Sequence, residues 1–145
     1  MVCKCKVEKL LLVLITFALM EKNIIRTNQA PAPIGPYSQA VQFGNLLFIS
    51  GQIPIDPATG NLVSGTIKEE THQVMKNLNA ILKEGGMDFS NVLKTSIFLM
   101  DMGQFAEVNE VYGGYITGQP PARETVQVSG LPKGVKVEIS MVAGK

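Results

Sequence analysis

The sequence predicts a single α+β domain in which two helices pack on one face of one β-sheet. Strand and helix patterns follow each other along the chain in the order β-β-β-α-β-α-β-β. Each helix has only one apolar stripe, so both must bury that stripe against the same sheet face. The chain has 145 residues, 46% of them hydrophobic, which suits one domain with one core.

Three strands are predicted before the first helix. Residues 24–25 form a short first strand, and residues 38–43 and 46–50 form a hairpin. The hairpin turns at Gly44-Asn45, one of the favoured two-residue turns. Between the first strand and the hairpin, three prolines within residues 31–36 exclude both helix and central strand.

The first helix begins at a capping box of Thr66 and Glu69, whose side chains satisfy reciprocal backbone donors. It ends at Gly85-Gly86, which supply a left-handed stop. Residues 101–104 resemble a second capping box and precede the second helix, whose last turns Gly113-Gly114 weaken by about 1 kcal/mol per glycine. The apolar stripes are Ile67, Val74, Leu78, Ile81 and Leu82 in the first helix, and Phe105, Val108, Tyr112, Tyr115 and Ile116 in the second.

The remaining predicted strands are residues 92–99, between the helices, and residues 125–128 and 135–141 after them. In the last strand, apolar and polar residues alternate, so its apolar side chains face one side and its polar ones the other. The sheet face away from the helices is mixed rather than fully polar. Because a single helix layer cannot cover it, we expect an oligomer to bury that face.

Residues 1–19 are treated separately from the fold. Three lysines precede an apolar run over residues 10–20, which has the outline of a signal peptide but is shorter than the roughly 20 residues of a membrane span. Glu8 interrupts the basic region, and a start site mis-assigned upstream of Met20 is the plainer interpretation. We therefore assign residues 20–145 to one domain and expect a cytoplasmic protein without membrane contact, with export left open by the signal-like segment.

Composition excludes several classes of protein. Thirteen basic and twelve acidic residues give a formal net charge of +1, so no nucleic-acid partner is expected. Both cysteines, Cys3 and Cys5, lie in the upstream segment, which leaves the domain without a disulfide framework or thiol nucleophile. The sequence contains no phosphate-binding glycine loop, Ser-His-Asp set or metal motif, and it predicts no cofactor and no metal.

Arg123 is the most conspicuous candidate for a functional residue. It opens a strand directly after Pro120-Pro121-Ala122, on the same face as Thr125 and Gln127, and Glu138 lies in the middle of the next strand. A fixed guanidinium binds a carboxylate through two parallel hydrogen bonds, and a nearby carboxylate can hold a water or share a proton. A cross-strand Arg–Glu pair that only stabilises the sheet is the alternative, and the residue pattern by itself favours it.

Four stretches of the chain together resemble the RidA/YjgF family. They are residues 32–40 (APIGPYSQA), 49–54 (ISGQIP), 121–128 (Pro-Ala-Arg followed by Thr-Val-Gln-Val), and 131–139 (Leu-Pro-Lys leading to Val-Glu-Ile). They occur in order, without a large insertion, from about Met20 to the C-terminus. Each stretch alone is a weak signal, and the four in sequence are specific.

The resemblance implies a chorismate-mutase-like fold assembled as a homotrimer, with active sites in clefts between subunits. It also implies hydrolysis of reactive 2-imino acids such as 2-iminobutanoate and 2-iminopropanoate, an activity that serves metabolite damage control. Carried over to this chain, Arg123 binds the substrate carboxylate. Glu138 orients the attacking water or exchanges a proton with it, and Tyr37 closes the pocket.

The same resemblance assigns lesser positions to the site. Ser50 and Gly51 line the pocket, and Asn109 matches a polar position on the second helix. Thr125 stands where many relatives carry a cysteine, and all four are expected to bind substrate. Tyr37 packing on the proline loop, Ser50-Gly51 ending a strand, and Asn109 as a solvated helix residue are the structural alternatives. The segment before Arg123 is shorter than in some members, which leaves the accepted substrate size open.

Two other functions stay open at this point. One is a ligand-binding or regulatory trimer that uses Arg123 to hold a carboxylate metabolite without turning it over. The other is a ribonuclease or translation inhibitor, an activity attributed to some relatives. The near-zero net charge and the single histidine argue against an RNA-directed activity.

Overall fold

The computed structural model describes residues 21–145, and these form one six-stranded sheet with two helices on one face. The interpretation of residues 1–19 concerns a segment outside the described residues. The strands are numbered β1 to β6 and the helices α1 and α2 in chain order. They are β1 (Lys22–Ile25), β2 (Ala40–Phe43), β3 (Leu46–Gln52), α1 (Ile67–Glu84), β4 (Val92–Leu99), α2 (Phe105–Tyr115), β5 (Ala122–Gln127) and β6 (Val137–Gly144).

The predicted fold class and element order are confirmed. Across the sheet the strands lie in the order β1-β2-β3-β6-β4-β5. The first three strands form an antiparallel meander, and β6 inserts between β3 and β4, antiparallel to both. β5 pairs with β4 in parallel through the crossover helix α2 and forms one edge of the sheet.

Helix α1 provides much of the core. Thr66 and Glu69 form the predicted capping box, and Gly86, with φ +69°, takes the left-handed conformation that follows the helix. Buried apolar residues of α1 lie against alternate residues of β3, β4 and β6. These include Val74, Met75, Leu78, Ile81 and Leu82 on the helix, and Leu47, Ile97, Val137, Ile139 and Met141 on the strands.

The predicted second capping box is wrong in its details. The Asp101 side chain accepts a hydrogen bond from Gly103 N, two residues on rather than three, and caps a 3-10 turn over Met102–Gln104. Helix α2 then begins at Phe105 without a side-chain cap. The backbone donors of this short connection are satisfied by the i→i+3 bonds of the tighter 3-10 turn. The Gln104 carboxamide, which a capping box would direct to the backbone of Asp101, is therefore not needed.

The sheet face opposite the helices is not covered by any described element. Residues that pair across neighbouring strands point to the same side of the sheet. By this register, a row of exposed apolar side chains lies on the side away from the helices. We call this side the open face. Its exposed apolar residues are Ile24, Phe43, Leu46, Phe48, Leu93 and Val126, each between 39% and 53% accessible. Within residues 21–145, no helix is long and apolar enough to cross a membrane.

Candidate functional site

Arg123 lies on the helix side of the edge strand β5. Its partner in the β4–β5 register is Thr95, which is fully buried beneath the helices. The Arg123 guanidinium carbon is 4.9 Å from the centre of the Tyr112 ring. A cavity of about 540 Å³ opens beside it. It is lined by Asn109, Tyr112 and Gly113 of α2 and by Ile116, Gly118, Pro120 and Pro121 of the following loop. The cation therefore stands on the wall of an open cavity.

Glu138 lies in a second cavity, on the open face of the sheet. This cavity has a volume of about 340 Å³ and is mainly apolar. Burial raises the pKa of the Glu138 carboxyl above its ordinary value of 4.5, because desolvation disfavours the charged form. The cavity is lined by Ile34, Tyr37, Ser50, Gly51, Ile53, Pro132 and Glu138.

The two central residues do not meet within one chain. β4 separates β5 from β6, and the register puts Arg123 with buried Thr95 but Glu138 with half-buried Phe98 on the opposite face. The cross-strand Arg–Glu pair is therefore excluded. The expectation that Glu138 lies close to Arg123 is also wrong for a single copy, because the sequence order β5-β6 is not the spatial order of the strands.

The backbone at Gly51 brings β3 close to the Glu138 carboxylate. The β3–β6 register shifts between Ile49 and Gln52, so the strand is irregular at Ser50-Gly51. A Cβ on Gly51 would clash with Glu138 Oε1 and would lie 2.7 Å from Cδ. The carboxylate can occupy this position only because residue 51 has no side chain.

Ser50 and Tyr37 both line the Glu138 cavity, and the hydroxyl of each makes a hydrogen bond to the backbone. Ser50 Oγ donates to the Ser38 carbonyl at 2.7 Å, which fixes the loop but directs the hydroxyl proton away from the cavity. The Tyr37 hydroxyl accepts from Ile34 N at 3.3 Å, and the residue is 47% exposed. The half-exposed Tyr37 thus lies at the edge of the cavity, and its role in closing the pocket stays a prediction.

Thr125 and Asn109 belong to the Arg123 side of the sheet. Asn109 is exposed and lines the same cavity as the guanidinium. Thr125 shares the face of Arg123, yet it does not line the cavity. Its Oγ1 is buried, and it has no hydrogen-bond partner among the described residues. Thr125 thus lies behind the cavity and in this structure does not contribute a wall to it.

The sequence analysis missed two polar residues of α1 that support the Glu138 cavity. Asn77 is fully buried and donates to the carbonyls of Ile53 and Ile55, at 3.2 and 2.9 Å. Glu70, 4% exposed, accepts from Lys136 N just before β6 and pairs with the Lys136 ammonium at 3.0 Å. Both lie on the apolar stripe at spacings of three or four residues, and helical periodicity could have found them.

The described part of the chain, residues 21–145, offers no group of three or more His, Cys, Asp or Glu side chains that could hold a metal ion. The two cavities contain one cation, Arg123, and one carboxyl group of raised pKa, Glu138.

Comparison with known proteins decides the family. The profile of the family described as Endoribonuclease L-PSP matches residues 27–145. The chain belongs to the RidA/YjgF family. The resemblance drawn from the four sequence stretches is thus confirmed, and with it the type of fold.

Similar RidA/YjgF proteins cover nearly the whole described chain. Protein DfrA of Myxococcus xanthus is 56% identical over 86% of this chain and 96% of its own length. The 2-iminobutanoate/2-iminopropanoate deaminase of mouse is 51% identical over 84% of this chain and 90% of its own. The crystal structure of the Rid-family protein YyfA from Yersinia pestis is 47% identical, with a TM-score of 0.84 over 86% of this chain and 100% of that one.

Gly51 provides a test of the Glu138 cavity in this RidA/YjgF protein. In Gly51→Ala the new methyl group displaces the carboxylate, the flexible end of a side chain, so folding should be little affected. We expect kcat/KM for imine deamination to fall by roughly tenfold to a hundredfold, as for other small misplacements of a reacting group. Steady-state kinetics and thermal unfolding measure the two effects.

Gly130→Ala is the matched control for that variant. A Cβ at Gly130 meets no atom within 4 Å, and its backbone does not require positive φ. Unchanged activity in both alanine variants would contradict the assignment of the Glu138 cavity to the active site.

Proposed function

We propose that this protein hydrolyses small 2-imino acids, such as 2-iminobutanoate and 2-iminopropanoate, to 2-oxo acids and ammonia. The observation that carries the proposal is the Arg123 guanidinium on the wall of an open cavity. The three ion pairs found among residues 21–145 leave Arg123 without an acidic partner. Such a cation is available for a ligand carboxylate, and the name of the mouse relative supports an imine as that ligand.

In the proposed reaction, Arg123 grips the substrate carboxylate through paired hydrogen bonds and fixes the C=N carbon in place. Glu138 takes a proton from a water molecule as the water oxygen bonds to that carbon, which gives a tetrahedral carbinolamine. The carboxyl passes this proton to the nitrogen and then carries the carbinolamine hydroxyl proton to it as well. The C=O bond forms as the C–N bond breaks, and ammonia leaves the 2-oxo acid. In this scheme the hydrolysis requires a substrate positioned by Arg123 and proton transfers by Glu138, and it needs no cofactor.

The proposal includes a homotrimer with its sites between subunits. Two features support it: Arg123 and Glu138 lie on opposite faces of the sheet in one copy, and the open face carries a row of exposed apolar side chains. Contiguous apolar surface of this kind is typical of contacts between proteins. Each site would then take its cation from one subunit and its carboxylate from the next.

The remaining assigned residues complete the proposed site. Tyr37 closes the mouth over the bound imine, and Ser50 and Gly51 form the wall behind Glu138. Asn109 offers an amide beside the guanidinium, and Thr125 supports the strand at Arg123 rather than contacting substrate. In the cell we propose a cytoplasmic role in removing reactive imines before they damage other enzymes.

The test couples a threonine dehydratase, which releases 2-iminobutanoate, to this protein. Semicarbazide traps the imine that remains, and light scattering reports the assembly. We expect the protein to speed imine loss in proportion to its concentration while it is trimeric. If imine loss is unchanged but calorimetry detects binding of 2-oxobutanoate, the protein is a carboxylate-binding trimer. Cleavage of added RNA would support the ribonuclease alternative instead.

A further inference from the structure

Tyr112 contacts the Arg123 guanidinium but takes no part in the hydrolysis proposed above. Its ring centre is 4.9 Å from Arg123 Cζ, and the ring of Phe105 is 5.8 Å from the same atom. Phe105 and Tyr112 are seven residues apart on α2, which is two helical turns, so both rings face the same strand edge. The guanidinium therefore rests against two aromatic rings of one helix.

Tyr112 is itself held from the other side. Its hydroxyl lies 3.1 Å from Thr95 Oγ1, and both residues are buried. Thr95 is also the register partner of Arg123. Residues from β4, β5 and α2 thus form a closed triangle in which the hydroxyl pair fixes the tyrosine ring and the ring supports the cation.

This support matters because Arg123 lies on an edge strand beside an open cavity. A long side chain with several rotatable bonds, and without an acidic partner, otherwise samples many rotamers. A guanidinium plane stacked on an aromatic face is attracted by the ring quadrupole and keeps its fork in one orientation. Two parallel hydrogen bonds to a carboxylate require that orientation.

We propose that Tyr112 is a positioning residue: it holds the Arg123 guanidinium ready for a carboxylate, is fixed by Thr95, and is assisted by Phe105. This inference rests on the proposed function, since it deepens the role of Arg123 there. Its test measures binding of a carboxylate rather than turnover, so the positioning role of Tyr112 and the deaminase proposal can fail separately.

The experiment titrates 2-oxobutanoate, which carries the carboxylate, into wild type and Tyr112→Leu by calorimetry. We expect about tenfold weaker binding in the variant, equivalent to about 1.4 kcal/mol. Tyr112→Phe keeps the ring and should restore binding to within about threefold of wild type. The uncharged analogue 2-oxobutanamide should lose no affinity in either variant, an outcome that a general loss of structure would not produce.

Tyr115→Leu is the matched control. Tyr115 lies on the same helix, and its ring contacts Phe89 and His72 rather than Arg123. We expect it to lower thermal stability while carboxylate affinity stays unchanged. If Tyr112→Leu does not fold, Phe105→Leu, at a half-buried position, serves as the second variant, with an expected loss of about threefold for the carboxylate alone.

The outcomes separate the two claims. Wild-type carboxylate affinity in folded Tyr112→Leu, or an equal loss in Tyr115→Leu, overturns the positioning role. If wild type binds 2-oxobutanoate but hydrolyses no imine, the deaminase proposal fails and the titrations still decide the role of Tyr112. If wild type binds no carboxylate, both are wrong.

Discussion

Arg123→Ala is expected to lower kcat/KM for 2-iminobutanoate by roughly a hundredfold or more. Removing a cation that pairs with a carboxylate costs about 2–5 kcal/mol where the pair is enclosed, as it would be between subunits of the proposed trimer. Each 1.36 kcal/mol is a factor of ten in rate. The side chain makes no ion pair within residues 21–145, so its loss leaves no buried acid unpaired. The dehydratase-coupled assay measures the loss.

Arg123→Lys is the matched variant for this prediction. Lysine keeps the positive charge but lacks the planar fork and stacks less well on Tyr112. We expect it to restore part of the activity, about tenfold below wild type, mainly through a higher KM. Light scattering must show the same assembly for all three proteins. Full activity in Arg123→Ala would refute the proposal that Arg123 binds the substrate carboxylate.

Glu138→Gln is expected to lower kcat by about a hundredfold to a thousandfold with little change in KM. Glutamine has the same shape as glutamate but cannot accept a proton from water, and general acid–base catalysis contributes a factor of this size. The neighbouring Gly51 accommodates either side chain. Single-turnover kinetics with saturating protein separates this effect on the chemical step from any effect on binding.

The pH profile gives the same prediction a second readout. Burial raises the pKa of Glu138 above 4.5, and the ionised form is the one that accepts the proton. The wild-type rate should therefore rise with pH through a step that lies above pH 4.5, and Glu138→Gln should lack that step. Glu110→Gln is the control, because Glu110 is exposed on α2 and pairs with Lys68, away from both cavities. A step of equal size in Glu138→Gln would remove Glu138 from the mechanism.

The local elements were predictable because their signals are local. The capping box at Thr66 and the apolar repeat of α1 lie within a few residues of each other, and the structure confirms both. The prediction at Asp101 went wrong for the same kind of reason. The spacing fits a capping box, but the short link to α2 favours a 3-10 turn, in which Asp101 binds two residues on.

The arrangement of the site could not be read from the sequence. β5 and β6 are consecutive in the chain, yet β4 lies between them, and this insertion determines which face Glu138 occupies. Tyr112 was predicted only as part of an apolar stripe. Its contact with Arg123 depends on how α2 crosses β5, which is a tertiary relation that periodicity does not contain.

The placement of Arg123 and Glu138 on opposite faces of one sheet has a consequence for assemblies that mix two different mutant chains. If neighbouring copies share each site, a gene copy that has lost the arginine and another that has lost the glutamate carry complementary lesions. A mixed assembly of the two products then contains some sites with both residues intact. Two lesions in the same cavity offer no such rescue. Co-expression of an Arg123 variant with a Glu138 variant would thus recover activity that neither variant has alone.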